Sequence, residues 1–249
     1  TQTEASVTIS DNDAAQAAGN PLDDNAFFVG MHYIDFLSRE PDAAGFSAWT
    51  GVLGRCTDNA PECNRITVSA AFFRSLEFQL KGFFVYRFYK VAFGRLPLYA
   101  EIIPDMRRVT GATAEEVAAR KEAFTNDFME RAEFRGRFDG TTGELFVDRL
   151  AETAGVTLPN RDELVAALAS GAKTRAQVLR EVVESAEVSR REYNSAFVAM
   201  QYFGYLRRDP EADGFKAWLR VLDANPDDYR TMVRGFESSV EYRLRFGQP

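Results

Sequence analysis

Apolar residues along this chain recur at helical rather than strand spacing. Phe27, Phe28, Met31, Ile34 and Leu37 return at intervals that put them on one side of a helix. Pro41 should end that helix, because the residue before a proline avoids the α region. Asp42 is placed to cap a second helix carrying Phe46, Trp49, Val52 and Leu53. A third helix is expected to carry Val68, Phe72 and Leu76 and to finish on Ser-x-Glu-Phe at Phe78. Further starts are marked by Thr113 with Glu116, Asn160 with Glu163 and Thr174 with Gln177, which fit the capping-box pattern or its Asn variant. Asn225-Pro226 sets a capping residue before a proline at the first helical position. Period-two alternation is confined to the beginning, where Ala5–Asp13 is β-branched and ends in turn residues.

The helical pattern repeats. Met31–Leu53 and Met200–Leu222 align without a gap and share 12 of 23 positions, including Leu-x-Arg-acid-Pro-acid-Ala-x-Gly-Phe-x-Ala-Trp. A second signature, Phe73–Phe78, recurs at Met129–Phe134, Val183–Val188 and Glu237–Tyr242. Its glutamates, Glu77, Glu133, Glu187 and Glu241, are spaced by 54 to 56 residues. Such self-similarity is the mark of a repeat architecture. The expectation is an all-α fold of about four units of roughly 55 residues and about three helices each, at 24–81, 82–141, 142–193 and 194–249. The third unit departs most, with only Leu158-Pro159 near its Arg-x-Pro position. Residues 1–13 read as a β-strand arm and 14–23 as a linker. A lone strand is not stable, so the arm calls for a partner: an upstream domain, a neighbouring chain, or this body.

A chain of 249 residues with 45% hydrophobic residues and 21 phenylalanines can bury a sizeable core. The net charge of −7 argues against nucleic acid, which needs a basic face. No apolar run is long enough to span a membrane. Cys56 and Cys63 have six residues between them, wider spacing than a zinc or redox pair uses. A local disulfide fits, and would place the protein in an oxidising, extracellular setting; two free thiols are the alternative. The chain starts at Thr1 rather than Met, which is expected if a signal peptide or an upstream region has been removed.

The stretch Arg39-Glu40-Pro41-Asp42-x-x-Gly45-x-x-x-Trp49, repeated at Arg208–Trp218 with Pro210 and Gly214, resembles the bacterial domain-of-unknown-function family numbered 4214. That resemblance covers about Asp24–Gly247 and implies a helical body akin to phycobilisome linker domains, which join other proteins. Val7-Thr8-Ile9-Ser10-Asp11-Asn12-Asp13 is similar to the last strand of calcium-binding Calx-beta domains. Together the two imply a secreted bacterial surface protein with no known catalytic activity.

Candidate chemistry is sparse. The single histidine, His32, has Gln201 at the equivalent place in the last unit, so a scaffold role is expected of it. One histidine without a Gly-x-Ser-x-Gly turn makes a poor hydrolase. The adjacent acids Asp23-Asp24, Glu115-Glu116 and Asp227-Asp228 each sit at a helix start, where they complement the dipole. The four signature glutamates can bond backbone or pair with Arg39, Arg95 and Arg208 in a recurring clasp. Trp49 and Trp218 are expected in the core, with a sugar-stacking platform as the alternative. No cofactor is expected. Calcium is held open at Asp11 and Asp13, whose oxygens suit a hard cation, against a simple turn. The expectation is therefore a non-catalytic extracellular structural or protein-interaction protein. It would assemble into a filament, tube or surface layer through Val7, Thr8 and Ile9. The alternative is an accessory module of a calcium-binding adhesin or glycan-binding surface protein.

Overall fold

Ser75 sits between two helices in extended conformation, φ −61° and ψ 143°, and its side chain accepts the Phe78 N–H. It is therefore a helix start where an ending was expected. In the computed structural model, which describes residues 19–57 and 59–248, Ser185 and Ser239 do the same for Val188 and Tyr242. A short hydroxyl one or two residues past a finished helix caps the next, so Ser-x-Glu-Phe is a cap signature. The helix expected to run through Leu76 is cut at Arg74.

Every regular element among the described residues is helical. The chain runs through α1 (Asn25–Leu37), α2 (Ala43–Gly54), α3 (Arg65–Arg74) and α4 (Leu76–Phe78). A π-helical turn, Gln79–Phe83, leads without a break into α5 (Phe84–Phe93). Then follow α6 (Tyr99–Arg108), α7 (Ala114–Met129), α8 (Ala132–Phe138), α9 (Gly143–Ala154), α10 (Arg161–Ser170) and α11 (Arg175–Glu184). The long α12 (Ala186–Gln201) passes into a second π-helical turn, Tyr202–Leu206, before α13 (Ala212–Ala224), α14 (Tyr229–Glu237) and α15 (Val240–Leu244).

The core is largely aromatic. α5 lies at its centre and packs on α9, α11 and α12, with Phe84, Tyr86, Phe88 and Tyr89 inaccessible to solvent. Each buried aromatic of this size contributes roughly 1.5–3 kcal/mol of burial free energy. The two ends of the described chain close on one another. α3 packs on α14, and the Phe73 ring meets Phe36, Phe197 and Tyr205 at centroid distances of 4.3, 5.8 and 5.6 Å. Asp35, buried in α1, receives Arg207 and Arg245 at 2.6 and 2.9 Å. Within the segment read as linker, Pro21–Asp23 forms a 3-10 turn with Leu22 buried, and Asn20 Nδ2 donates to Arg243 O and Gln248 O at 3.0 and 2.8 Å.

Several expected starts are present. Asp42 accepts from Gly45 N at 2.8 Å, Thr174 and Gln177 exchange both capping-box bonds, and Thr113 caps α7. Asn225 caps only a single 3-10 turn, Pro226–Asp228. Asn160 does not cap α10: its backbone is not extended, and its Nδ2 donates instead to Glu181 Oε1 at 3.0 Å. The arm residues Val7, Thr8 and Ile9 and the calcium candidates Asp11 and Asp13 lie outside the described residues.

Candidate functional site

Three helices end on a residue in the left-handed conformation that an arginine follows directly. The pairs are Ser38 (φ 53°) with Arg39, Gly94 (φ 68°) with Arg95, and Arg207 (φ 51°) with Arg208. Five residues before each left-handed residue stands a tyrosine, Tyr33, Tyr89 or Tyr202. The guanidinium lies over that ring, 4.9, 5.3 and 5.3 Å from its centroid. Its Nη1 donates to the carbonyl of the next residue, Glu40, Leu96 or Asp209, at 3.0, 3.1 and 3.0 Å.

The other edge of each guanidinium meets a signature glutamate through two bonds. Arg39 donates to Glu77 at 2.8 and 3.0 Å, Arg95 to Glu133 at 3.3 and 2.8 Å, and Arg208 to Glu241 at 2.6 and 3.0 Å. A second acid at the next helix start completes each group: Asp42 at 3.3 Å, Glu101 at 2.8 Å and Glu211 at 2.5 Å. One arginine thus binds a helix end, the following helix start and the first turn of a later helix. Bonds of this charge-assisted, forked kind are among the strong ones. They raise all three arginines, Arg39 chiefly through Glu77, Arg95 through Glu101 and Arg208 through Glu241. Burial pushes the Glu77 carboxyl up, but bonds from Arg39 and Lys81 outweigh it, and the net shift is downward.

The second clasp is built differently from its siblings. Gly45 and Gly214 leave room for the tyrosine: a Cβ there would stand 2.1 Å from Tyr33 Oη and 2.5 Å from Tyr202 Oη. The corresponding position is Glu101, and the capping acid is replaced by Leu98. The Glu101 carboxylate reaches back to accept from Leu98 N at 2.7 Å, the N–H at the cap position itself, where Asp42 accepts the one three residues on. The Tyr89 hydroxyl turns away to donate to Asp105 at 2.7 Å.

A fourth helix, α9, ends the same way on Gly155 (φ 65°), but Val156 follows and Leu150 takes the tyrosine's place. The signature glutamate is retained. Glu187 sits in the first turn of α12, capped by Ser185, as Glu77 and Glu241 sit behind Ser75 and Ser239. Beside it opens a groove of about 680 Å³ bordered by Pro159, Asn160, Gln177, Glu181 and Glu184. Glu181 is engaged by Lys173 and Asn160, and Glu184 by Arg180 at 2.9 Å and Lys121 at 3.5 Å. Among the described residues no cation reaches Glu187 within ion-pair distance.

His32 is inaccessible. Its Nδ1 lies 2.8 Å from Phe28 O and its Nε2 2.7 Å from Ser69 Oγ, which contacts the Tyr205 hydroxyl. Burial drives the imidazole down to about 3. A neutral ring with both nitrogens occupied by the scaffold is not placed to accept a substrate proton. Trp49 and Trp218 are half-buried, their rings 5.8 Å from Phe72 and 5.9 Å from Phe236 on matching outer helices. Asp24 accepts from Phe27 N at 2.7 Å, and Asp228 binds Thr231 Oγ1 at 2.5 Å. Cys56 and Cys63 stand at disulfide-bonding distance, with their Cα atoms 5.4 Å apart. No described residues group three metal-ligating side chains, and no described helix is long and apolar enough to cross a membrane.

Comparisons with protein-family models, with curated proteins and with solved structures found no match.

Proposed function

We propose that this chain is a non-catalytic extracellular structural protein that works by protein contact and assembles through its N-terminal residues 1–13. The observation that carries this reading is where the recurring charges go. Arg39, Arg95 and Arg208 spend their donors on Glu77, Glu133 and Glu241 to join successive helices. The same chemistry returning along a chain suits a scaffold of about four related units better than an active site. The buried, neutral His32 supports the same reading, and the resemblance to family 4214 agrees with it.

The Cys56–Cys63 pair is compatible with a secreted protein, since such bonds persist in oxidising compartments. Strand addition by Val7–Ile9 to a neighbouring copy would give a head-to-tail contact, which need not close and so builds a filament or tube. Calcium at Asp11 and Asp13 would belong to the alternative, an adhesin's accessory module. Negative-stain electron microscopy of the full chain and of a chain lacking residues 1–13 separates the two. Regular fibres or tubes that vanish without the arm support assembly. Monodisperse particles in both samples overturn it in favour of an accessory module.

A further inference from the structure

We propose that the groove at Glu187 receives an arginine side chain presented by a partner protein, so that a fourth clasp is completed in trans. Three copies of the arrangement in this same chain show what the position binds. In each, the glutamate two residues beyond the start of the extended break, Glu77, Glu133 or Glu241, holds a guanidinium by two bonds. Glu187 keeps the same place, and Ser185 fixes its turn by accepting from Val188 N at 3.3 Å.

What has been lost is the donor, together with the second acid. Val156 stands where the arginines stand, and Leu150 where the tyrosines stand. Glu187 itself borders a groove of about 680 Å³, with Pro159, Gln177 and Arg180 on its walls, roomy enough for a guanidinium and its methylene stem. Neighbouring acids do not compete for the newcomer, because Glu181 and Glu184 already hold Lys173 and Arg180. Pro159 stands at the position of the capping acids Asp42 and Glu211, and Asn160 at the groove's edge donates its Nδ2 to Glu181. An arginine is favoured over lysine because a planar fork matches a carboxylate with two parallel bonds. The site gives chemical content to the protein-contact reading and rests on it for the source of the arginine, but not for the binding itself.

The test uses the full chain and acetyl-arginine methylamide as the probe, followed by backbone amide NMR. The lysine analogue and the uncharged citrulline analogue serve as controls. Saturable shifts are expected at Ser185, Ala186 and Glu187 with the arginine probe, at least tenfold weaker with citrulline. They should weaken at least tenfold in Glu187→Gln, whose fold is checked by circular dichroism. Val156→Arg should fill the groove in cis and remove the response. Equal response to citrulline, persistence in Glu187→Gln, or no saturable shift overturns the proposal. The electron-microscopy result stands apart: a chain that forms fibres yet ignores the probe loses only this site, and one that binds the probe without forming fibres loses only the assembly.

Discussion

A Cβ atom on Gly204 would stand 1.8 Å from Cε1 of Phe36, a ring buried in the core with 1% of its surface exposed. The two residues lie 168 positions apart and form the seam where the ends of the helical body meet. Gly204→Ala should therefore cost roughly 1–3 kcal/mol by overpacking. Pairing it with Phe36→Leu should cost less than the two changes summed, because they relieve one clash. Urea unfolding of the four variants measures this, and strict additivity would refute the close approach.

His32 should give the fold a pH dependence on the acid side. Its folded imidazole is held at about 3, whereas the unfolded ring protonates near 6.5. Between those values the unfolded chain binds the extra proton, so stability is full above 6.5 and falls as the pH drops. The loss is about 1.4 kcal/mol for each pH unit. His32→Gln, which copies Gln201, should flatten that part of the stability profile. An unchanged slope would remove His32 as its cause.

The clasps should differ in strength. Arg39 and Glu77 each expose 31% of their side chains, while Glu241 exposes 49%. A double-mutant cycle should give a coupling of about 1 kcal/mol for Arg39–Glu77 and less for Arg208–Glu241, after screening by water.

Glu101 should be replaceable by the design of its siblings. Glu101→Gly strips Leu98 N of its acceptor and Arg95 of two bonds, and should cost at least about 1 kcal/mol, the loss of a cap alone. Adding Leu98→Asp should recover part of it, by accepting the N–H of residue 101 as Asp42 accepts that of Gly45 in the first clasp. Thermal melts of the single and double variants decide it.

Reducing the Cys56–Cys63 bond should lower stability by about 2.5 kcal/mol, the loop-closure entropy of so short a ring. Melting with and without reductant checks this, and an unchanged midpoint would argue that the thiols are free in solution.

Local chemistry was legible in the chain, and long-range chemistry was not. Asp42, Thr174 and Thr113 cap helices because a cap needs only its neighbours three residues on. Ser75 was readable by the same rule, yet the apolar Leu76 and Phe78 extend the pattern of the helix before it and hide the break. Asn160 fails as a cap because Glu181, 21 residues later, competes for its side chain. The Glu101 exchange was hidden for another reason: Leu98 offers no capping side chain to announce a helix start, although the bond to Glu101 spans only three residues. The site at Glu187 likewise depends on Val156, which follows a left-handed helix end where Arg39, Arg95 and Arg208 follow theirs.

Asn20 grips Arg243 and Gln248, so the way into the helical body and the way out of it share one spot. The mechanical result is that of a pendant on a cord. Tension between the two ends would load those few bonds at the base before it reached the aromatic interior.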